Sequence, residues 1–133
     1  MALNLTPHEI TVYDSKGENV IARIPSAGEL RLASREGPAP PMSSVRVSGV
    51  DVLVVPRQVF TGLNEHSPGF KHVKPGATII VSMATGDYMT QMREYDTVTV
   101  LGSASGPGMA VRENGKILGT KALEYYPPAS EGV

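Results

Sequence analysis

The chain has 133 residues, which is enough for one domain with a single core and too few for two ordinary domains. Its formal net charge is −1, from 12 basic and 13 acidic residues. No Lys/Arg run forms a basic stripe, so we do not expect nucleic acid as a partner. The sequence contains no cysteine, which excludes disulfides, thiolate metal sites and thiol catalysis.

The composition also bears on the core and the compartment. There is no Trp and there are only two Phe, so the core must be mainly aliphatic. The chain does not open with a basic segment followed by an apolar one, as a secretory signal would. The longest apolar run, VDVLVV, is far shorter than the roughly 20 residues that span a bilayer. We therefore expect a soluble, cytoplasmic protein without a membrane partner.

The chain begins with a predicted β-hairpin. Alternation over residues 9–14 places Ile10 and Val12 on a core face, and VIARI follows as the second strand after a Gly-containing loop. Leu30-Arg31-Leu32 predicts a short third strand. Residues 34–42 contain three Pro and no periodicity, which predicts a loop.

The middle of the chain predicts a buried strand and then a long loop. SVRVSGVDVLVV, residues 44–55, alternates, is interrupted by a Gly and becomes almost continuously apolar. The part after the Gly predicts a central strand buried on both faces and ended by Pro56. Residues 61–76 are rich in turn formers and predict a loop, and ATIIVS predicts a β-branched strand after it.

The last third predicts one helix and a second hairpin. MATGDYMTQMREY has Met residues near helical spacing, with Asp87, Gln91 and Arg93 on the opposite face, and predicts a short helix weakened by Gly86. DTVTVLG predicts a strand and GSASGPG a flexible link. MAVRENGKILGTKAL predicts a hairpin closed by a type I′ turn at Asn114-Gly115. The ending YYPPASEGV predicts a frayed tail.

Together these patterns predict a mainly β protein, a β-rich α+β chain. Roughly eight to ten short strands follow one another with turn signals between them, which favours a compact antiparallel barrel or sandwich with one or two short helices. We expect one domain over residues 1–126 and a flexible tail over residues 127–133.

Three possible catalytic or cofactor motifs are not favoured by their spacing. GSASGPG followed by ENGK lacks the spacing of a phosphate-binding P-loop and lies in a hairpin, so a mobile surface loop, which could still close over a ligand, is favoured. His66 and His72 match no common zinc spacing, so no metal is expected. His8 and Ser82 could join Asp87 or Asp96, but Ser82 is not in a nucleophile-elbow motif and catalysis is not favoured. No cofactor is implied.

Arginine side chains give the best indication of binding. Arg23, Arg46 and Arg112 lie inside predicted strands opposite their apolar neighbours, and Arg57 follows Pro56. The planar guanidinium suits carboxylate and phosphate groups. Two or three of them on one sheet face would form an anion or nucleotide pocket, although outward-pointing Arg side chains that solvate a sheet remain the simpler interpretation.

The segment LNLTPHEI has a structural and a functional interpretation. Pro7 disfavours a helix at Thr6, so the segment is expected to be extended, with Asn4 and Thr6 hydrogen-bonded to nearby backbone. His8 falls on the same side as Ile10 and is expected to be half-buried. A hydrogen-bonded structural role for His8 is favoured over a ligand contact.

The same segment resembles the start of a family of small bacterial and phage-encoded proteins that begin Asn-Leu-Thr-Pro-His. The matching positions are Asn4 to His8, then Ile24, Pro25 and Gly28 in the following turn. IIVSMATGDYM looks like that family's strand and short helix, and Val111, Arg112, Gly115, Ile117 and Gly119 are similar to its closing hairpin. The resemblance implies a phage or bacterial setting, with the host cytoplasm as the compartment if phage-encoded, and carries no settled activity.

Three functions stay open at this stage. The first is a non-enzymatic, homo-oligomeric binding protein for a small anionic or nucleotide-like ligand. The second is a structural, assembly or host-protein interaction module, in which edge strands and Pro-rich loops dock a partner. The third and least favoured is a small hydrolase. The residues expected to contact the ligand are Asn4, Thr6, His8, Arg57, Ser82 and Arg112.

Overall fold

The computed structural model describes residues 1–128, which form two compact units. The first unit combines Met1–Arg31 with the chain from Asn64 onward, and the second is Leu32–Leu63. Within the described residues no helix is long and apolar enough to cross a membrane.

Strands dominate both units. The described chain contains β1 (Ala2–Asn4), β2 (Ile10–Tyr13), β3 (Val20–Ile24), β4 (Leu32–Glu36), β5 (Ser44–Val47), β6 (Val50–Leu53), β7 (Gln58–Leu63), β8 (Thr78–Ile80), β9 (Thr99–Ser103), β10 (Ala110–Glu113), β11 (Lys116–Thr120) and β12 (Leu123–Tyr126). One α-helix, α1 (Met83–Thr90), follows β8, and short 3₁₀ turns occur at Phe70–His72 and Arg93–Tyr95. The predicted mainly β class is confirmed.

The first unit contains two four-stranded sheets that share a core. One sheet has the order β1-β8-β9-β12 and the other β10-β11-β2-β3. Ile10 and Val12 from the second sheet pack with the fully buried Ile80 of the first. Partly buried side chains from both sheets complete this cluster: Ala2, Ile24, Leu101 and Leu123. The unit is therefore sandwich-like, and Ile10 and Val12 face its core as their alternation predicted.

The strand pairing is more mixed than the sequence indicated. Five pairs in the described chain are antiparallel, whereas β1–β8, β8–β9 and β11–β2 are parallel. Two of the parallel pairs, β1–β8 and β11–β2, join strands that are far apart in sequence, whereas β8 and β9 are consecutive strands connected through α1. Local turn signals predict only antiparallel neighbours, because a tight turn can join only antiparallel strands.

The second unit consists of two strand pairs, and in the sequence the β5–β6 pair lies between the two strands of the β4–β7 pair. Strands β4 and β7 pair antiparallel, with Leu32 opposite Leu63, and β5 and β6 form a hairpin, with Val47 opposite Val50. The predicted strand at Leu30–Leu32 was therefore wrong in position, since β4 begins at Leu32. The predicted loop at 34–42 is shorter than expected because residues 34–36 belong to β4. The predicted loop at 61–76 is shorter because residues 61–63 belong to β7.

Residues 44–55 do not form a central buried strand. Ser48 and Gly49 both have positive φ, at 50° and 78°, and divide the segment into the hairpin strands β5 and β6. All eight residues of these strands are exposed. The prediction was wrong because an apolar run of this length does not by itself distinguish a core strand from an exposed hairpin. The Gly interruption seen in the sequence is where the chain turns, and Ser48-Gly49 closes a tight hairpin there.

The helix and the second hairpin follow the sequence closely. Helix α1 ends at Thr90, earlier than expected, and Arg93 lies in the separate 3₁₀ turn. Met89 is buried, whereas Asp87 is exposed, as predicted. Asn114 and Gly115 have φ of 53° and 78°, consistent with the predicted type I′ turn between β10 and β11.

The predicted frayed tail is partly a strand. Tyr125 and Tyr126 belong to β12, which pairs antiparallel with β9 through Tyr126 and Val100. Residues 127 and 128 follow without regular structure. The remainder of the predicted tail, residues 129–133, lies outside the described residues.

Candidate functional site

The polar residues at the start of the chain are joined through the side chain of Asn4. Its Nδ2 donates to the carbonyl oxygens of His8, at 2.8 Å, and Ile24, at 2.9 Å. Its Oδ1 accepts from the Thr6 backbone N–H at 3.0 Å and from the Thr6 hydroxyl at 2.6 Å. Asn4 is only 1% exposed. Both amide protons and both acceptor positions are used, so this side chain holds the segment in shape and has no group left for a ligand.

The neighbours of Asn4 are committed to the same network. The Thr6 carbonyl accepts a hydrogen bond from Ser26 Oγ at 2.6 Å, which ties the opening segment to the turn after β3. His8 takes part through its backbone carbonyl, and its side chain is exposed rather than half-buried. The bend over residues 6–8 breaks the alternation that was extrapolated back from Ile10. Asn4, Thr6 and His8 are therefore brought together, but as a structural cluster.

Two further predicted site residues have local roles elsewhere. Ser82 immediately precedes α1, and its hydroxyl donates to Thr85 Oγ1 at 3.1 Å. Arg57 belongs to the second unit, where it is exposed and its carbonyl accepts from the Gly37 N–H at 2.8 Å. Neither residue lines the cavity described next.

The first unit contains a cavity of about 430 Å³ at the junction of its two hairpins. Strand β11 meets β2 there in parallel, with Thr120 opposite Val12. Gly119 makes this approach feasible, because a Cβ atom at that position would collide with the carbonyl oxygen of Thr11. The lining comes from the start of β2, the end of β9 and its following loop, β10 and β11: Glu9, Ile10, Thr11, Ser103, Ala104, Ser105, Ala110, Arg112, Ile117, Leu118, Gly119 and Thr120.

Arg112 supplies the positive charge of this cavity. It is the one predicted ligand residue that lines it, and within residues 1–128 no carboxylate lies in ion-pairing distance of its guanidinium. The cavity's carboxylate, Glu9, is instead 3.6 Å from Arg23 Nη1, measured from Oε1. The Arg23 charge partly offsets that of Glu9, so the guanidinium of Arg112 remains available to an anion.

Hydroxyl groups line the same cavity. Thr120 Oγ1 donates to the carbonyl of Ala122 at 2.9 Å, and Ser105 Oγ donates to Glu124 Oε1 at 3.2 Å. In the described chain, the hydroxyls of Thr11 and Ser103 make no hydrogen bond to protein. Among the hydroxyls of the lining, these two can hydrogen-bond to a bound molecule without breaking an existing contact.

Sequence reasoning found Arg112 but missed most of its cavity neighbours. Ser103 and Ser105 belong to GSASGPG, the segment that was considered able to close over a ligand. Ile117 lies directly opposite Arg112 in the predicted hairpin, whereas the contribution of Thr11 had no local signal, since it arrives only through the parallel pairing of β2 with β11. Short-range motifs do not reveal such a juxtaposition.

No protein-family model, curated protein or solved structure matches the chain. Within residues 1–128 no group of three or more His, Asp, Glu or Cys side chains is arranged to hold a metal ion. The cavity and the exposed surfaces of this chain are therefore the features from which its function is inferred.

Proposed function

We propose that the protein is a non-enzymatic binding protein that holds a small anionic, nucleotide-like ligand in the cavity around Arg112. The observation that carries the proposal is an arginine that lines a cavity of about 430 Å³ and has no carboxylate partner within residues 1–128. This volume falls within the range of about 300–1,000 Å³ that is typical of small-molecule sites.

The lining residues differ in chemistry from one part of the cavity to another, which suits a ligand with an anionic end, a planar base and a hydrogen-bonding end. The guanidinium of Arg112 can form two parallel hydrogen bonds with a phosphate or carboxylate. Ile117 and Leu118 are exposed apolar side chains in the same lining and offer a surface for a planar base. Glu9 accepts hydrogen bonds and repels anions, so it favours a hydroxyl or amino group at the end of the ligand away from the phosphate.

Binding is favoured over turnover because, within residues 1–128, the cavity lining contains no side chain suited to act as a catalytic base. Its titratable side chains are Glu9 and Arg112, and Glu9 is paired with Arg23. Neither a histidine nor a cysteine is among the lining residues. Ser103 therefore has no base in this lining to activate it as a nucleophile.

Thermal stabilisation by a ligand panel tests this function. The purified protein is incubated with millimolar nucleoside mono-, di- and triphosphates and cyclic nucleotides, and Tm is measured. A ligand present at 100 times its Kd stabilises the folded state by about 2.7 kcal/mol. We expect Arg112→Ala to lose the shift and the exposed Arg93→Ala to keep it. If the wild type shows no shift with any ligand, or Arg112→Ala retains a full shift, the proposal is wrong.

A second candidate function is a structural or assembly module in a phage or bacterial setting. Eight of the fifteen large apolar side chains that are exposed in the described chain lie between Met42 and Phe60. A concentration of exposed apolar side chains in one segment favours a role in binding a partner. Detection of the protein in purified phage particles would favour this candidate, whereas a nucleotide-dependent Tm shift lost in Arg112→Ala would favour the cavity.

A further inference from the structure

The charged side chains of the cavity are one cation and one anion. Within residues 1–128, Arg112 is the only lysine or arginine of the lining and Glu9 is its only acidic residue. The remaining lining residues are apolar residues, glycine, serine and threonine. The lining therefore has no net formal charge, and a ligand with one negative charge already uses its only guanidinium.

Glu9 has two effects on an anion in the cavity. Its carboxylate repels negative charge directly. It also holds Arg23, whose Nη1 lies 3.6 Å from Glu9 Oε1. Because Arg23 is directly opposite Thr11 in the β2–β3 pair, the two side chains point to the same side of the sheet. Without Glu9, the guanidinium of Arg23 would be a second cation beside the cavity.

The two lysines at the ends of β11 do not add positive charge to the cavity. Lys116 lies directly opposite Glu113, on the face of the hairpin away from its neighbour Ile117, which lines the cavity. Lys121 extends to the β2–β3 loop, where its Nζ is 3.7 Å from the position of a Cβ atom added at Gly17. A ligand with several negative charges therefore meets no further cation of β11 in the cavity.

We infer that Glu9 restricts the cavity to nucleotides with a single negative charge, which are phosphodiesters such as cyclic mononucleotides. This inference rests on the proposed function and specifies its class of ligand. Two parallel hydrogen bonds from Arg112 satisfy one phosphodiester group. Each further charge of a phosphate monoester or polyphosphate is repelled by Glu9 and has no cation of the described lining to meet. Glu9 is thus a specificity-determining residue.

Isothermal titration calorimetry without divalent metal ions tests the inference. The titrants are the cyclic monophosphate and the triphosphate of each common nucleoside, so that each pair shares a base. At physiological ionic strength we expect the wild type to bind the cyclic nucleotide at least about 10-fold more tightly than the triphosphate. In Glu9→Gln this ratio should fall at least about fivefold, because a repulsive charge is lost and Arg23 is released. A limit set by ligand size alone would leave the ratio unchanged.

Two further variants separate the charge of Glu9 from other effects. Glu9→Asp keeps the carboxylate and should keep most of the preference. Glu113→Gln removes the same charge from the other face of the β10–β11 hairpin and should bind both titrants like the wild type. If neither titrant binds the wild type, the proposed function and this inference both fail. A triphosphate that binds the wild type as tightly as the cyclic nucleotide, or an unchanged ratio in Glu9→Gln, overturns the inference alone.

Discussion

The ring of Tyr126 lies so close to Gly86 that a Cβ atom at position 86 would be 2.8 Å from two of its carbons. The same ring faces Gly102, where an added Cβ would also lie 2.8 Å away. Tyr126 of β12 is thus held between α1 and β9. The glycine that weakens the helix in the sequence makes room for this ring, and burial raises the pKa of Tyr126, with Glu124 and Asp87 adding to the effect.

Gly86→Ala is expected to destabilise the first unit. Alanine improves helix propensity by about 1 kcal/mol, but overpacking against a ring held on both sides costs typically about 1–3 kcal/mol. Urea denaturation measures the difference. The control is Gly106→Ala, where the new Cβ meets only Met109 Cγ at 3.8 Å. In a Tyr126→Leu background Gly86→Ala should cost less, because the ring is absent; an unchanged cost would contradict this account.

Asn4→Ala should be among the most damaging single changes near the N-terminus. It leaves the Ile24 carbonyl and the Thr6 N–H without their Asn4 partner, whereas the His8 carbonyl keeps its hydrogen bond from the Thr6 hydroxyl. Each buried polar group without a hydrogen bond costs about 1–3 kcal/mol, so the two groups together should lower the free energy of unfolding by about 2–6 kcal/mol. His8→Ala removes an exposed ring and should change it by less than about 0.5 kcal/mol. Equal losses in both variants would show that the network around Asn4 is not stabilising.

Alkaline pH should weaken the fold through Tyr95. Burial, reinforced by Glu94 and Tyr88, raises the pKa of Tyr95 from 10.0 to about 12. The folded state then retains a proton that the unfolded state loses, so the stabilisation present below pH 10 is lost as the pH rises toward 12. Tyr95→Phe should flatten the dependence of Tm on pH in this window. Measurements at pH 7, where the phenol is protonated in both states, separate this effect from loss of the hydroxyl itself.

The turn of the β5–β6 hairpin can be improved. Ser48 adopts φ of 50°, a conformation that Asn tolerates better, and the equivalent position of the β10–β11 turn is already Asn114. Ser48→Asn should slow amide hydrogen exchange in β5 and β6. Gly49→Ala should accelerate it, because Gly49 has φ of 78°. Exchange is measured in preference to Tm because it reports on this hairpin separately. Faster exchange in Ser48→Asn would exclude a type I′ turn here.

The candidate site shows where sequence reasoning is effective. Arg112 was selected because it lies on the polar side of a well-marked hairpin, and it does line the cavity. The sequence predicts that Asn4 and Thr6 hydrogen-bond to nearby backbone and also contact a ligand. The hydrogen bonds in the structure use every polar group of the Asn4 side chain, which leaves it the structural role. Chemistry that depends on residues a few positions apart was predictable.

Features that depend on residues far apart in the chain were not predictable from the sequence. The middle segment was expected to be a buried central strand because VDVLVV is apolar, yet Val50 is 62% exposed. Burial depends on which surface covers a strand, and that surface comes from elsewhere in the chain or from another molecule. Hydrophobicity shows that a segment gains by being covered, but not what covers it.

By itself the sequence determined the mainly β class, the β2–β3 and β10–β11 hairpins, the Asn114-Gly115 turn and the start of α1, because these depend on local backbone preference and on alternation. Only the tertiary structure decided the parallel pairing of β2 with β11, the cavity around Arg112 and the packing of Tyr126 between Gly86 and Gly102. These features require strands distant in sequence to approach each other, and their geometry is set by packing and by backbone hydrogen bonds that no short window of sequence contains.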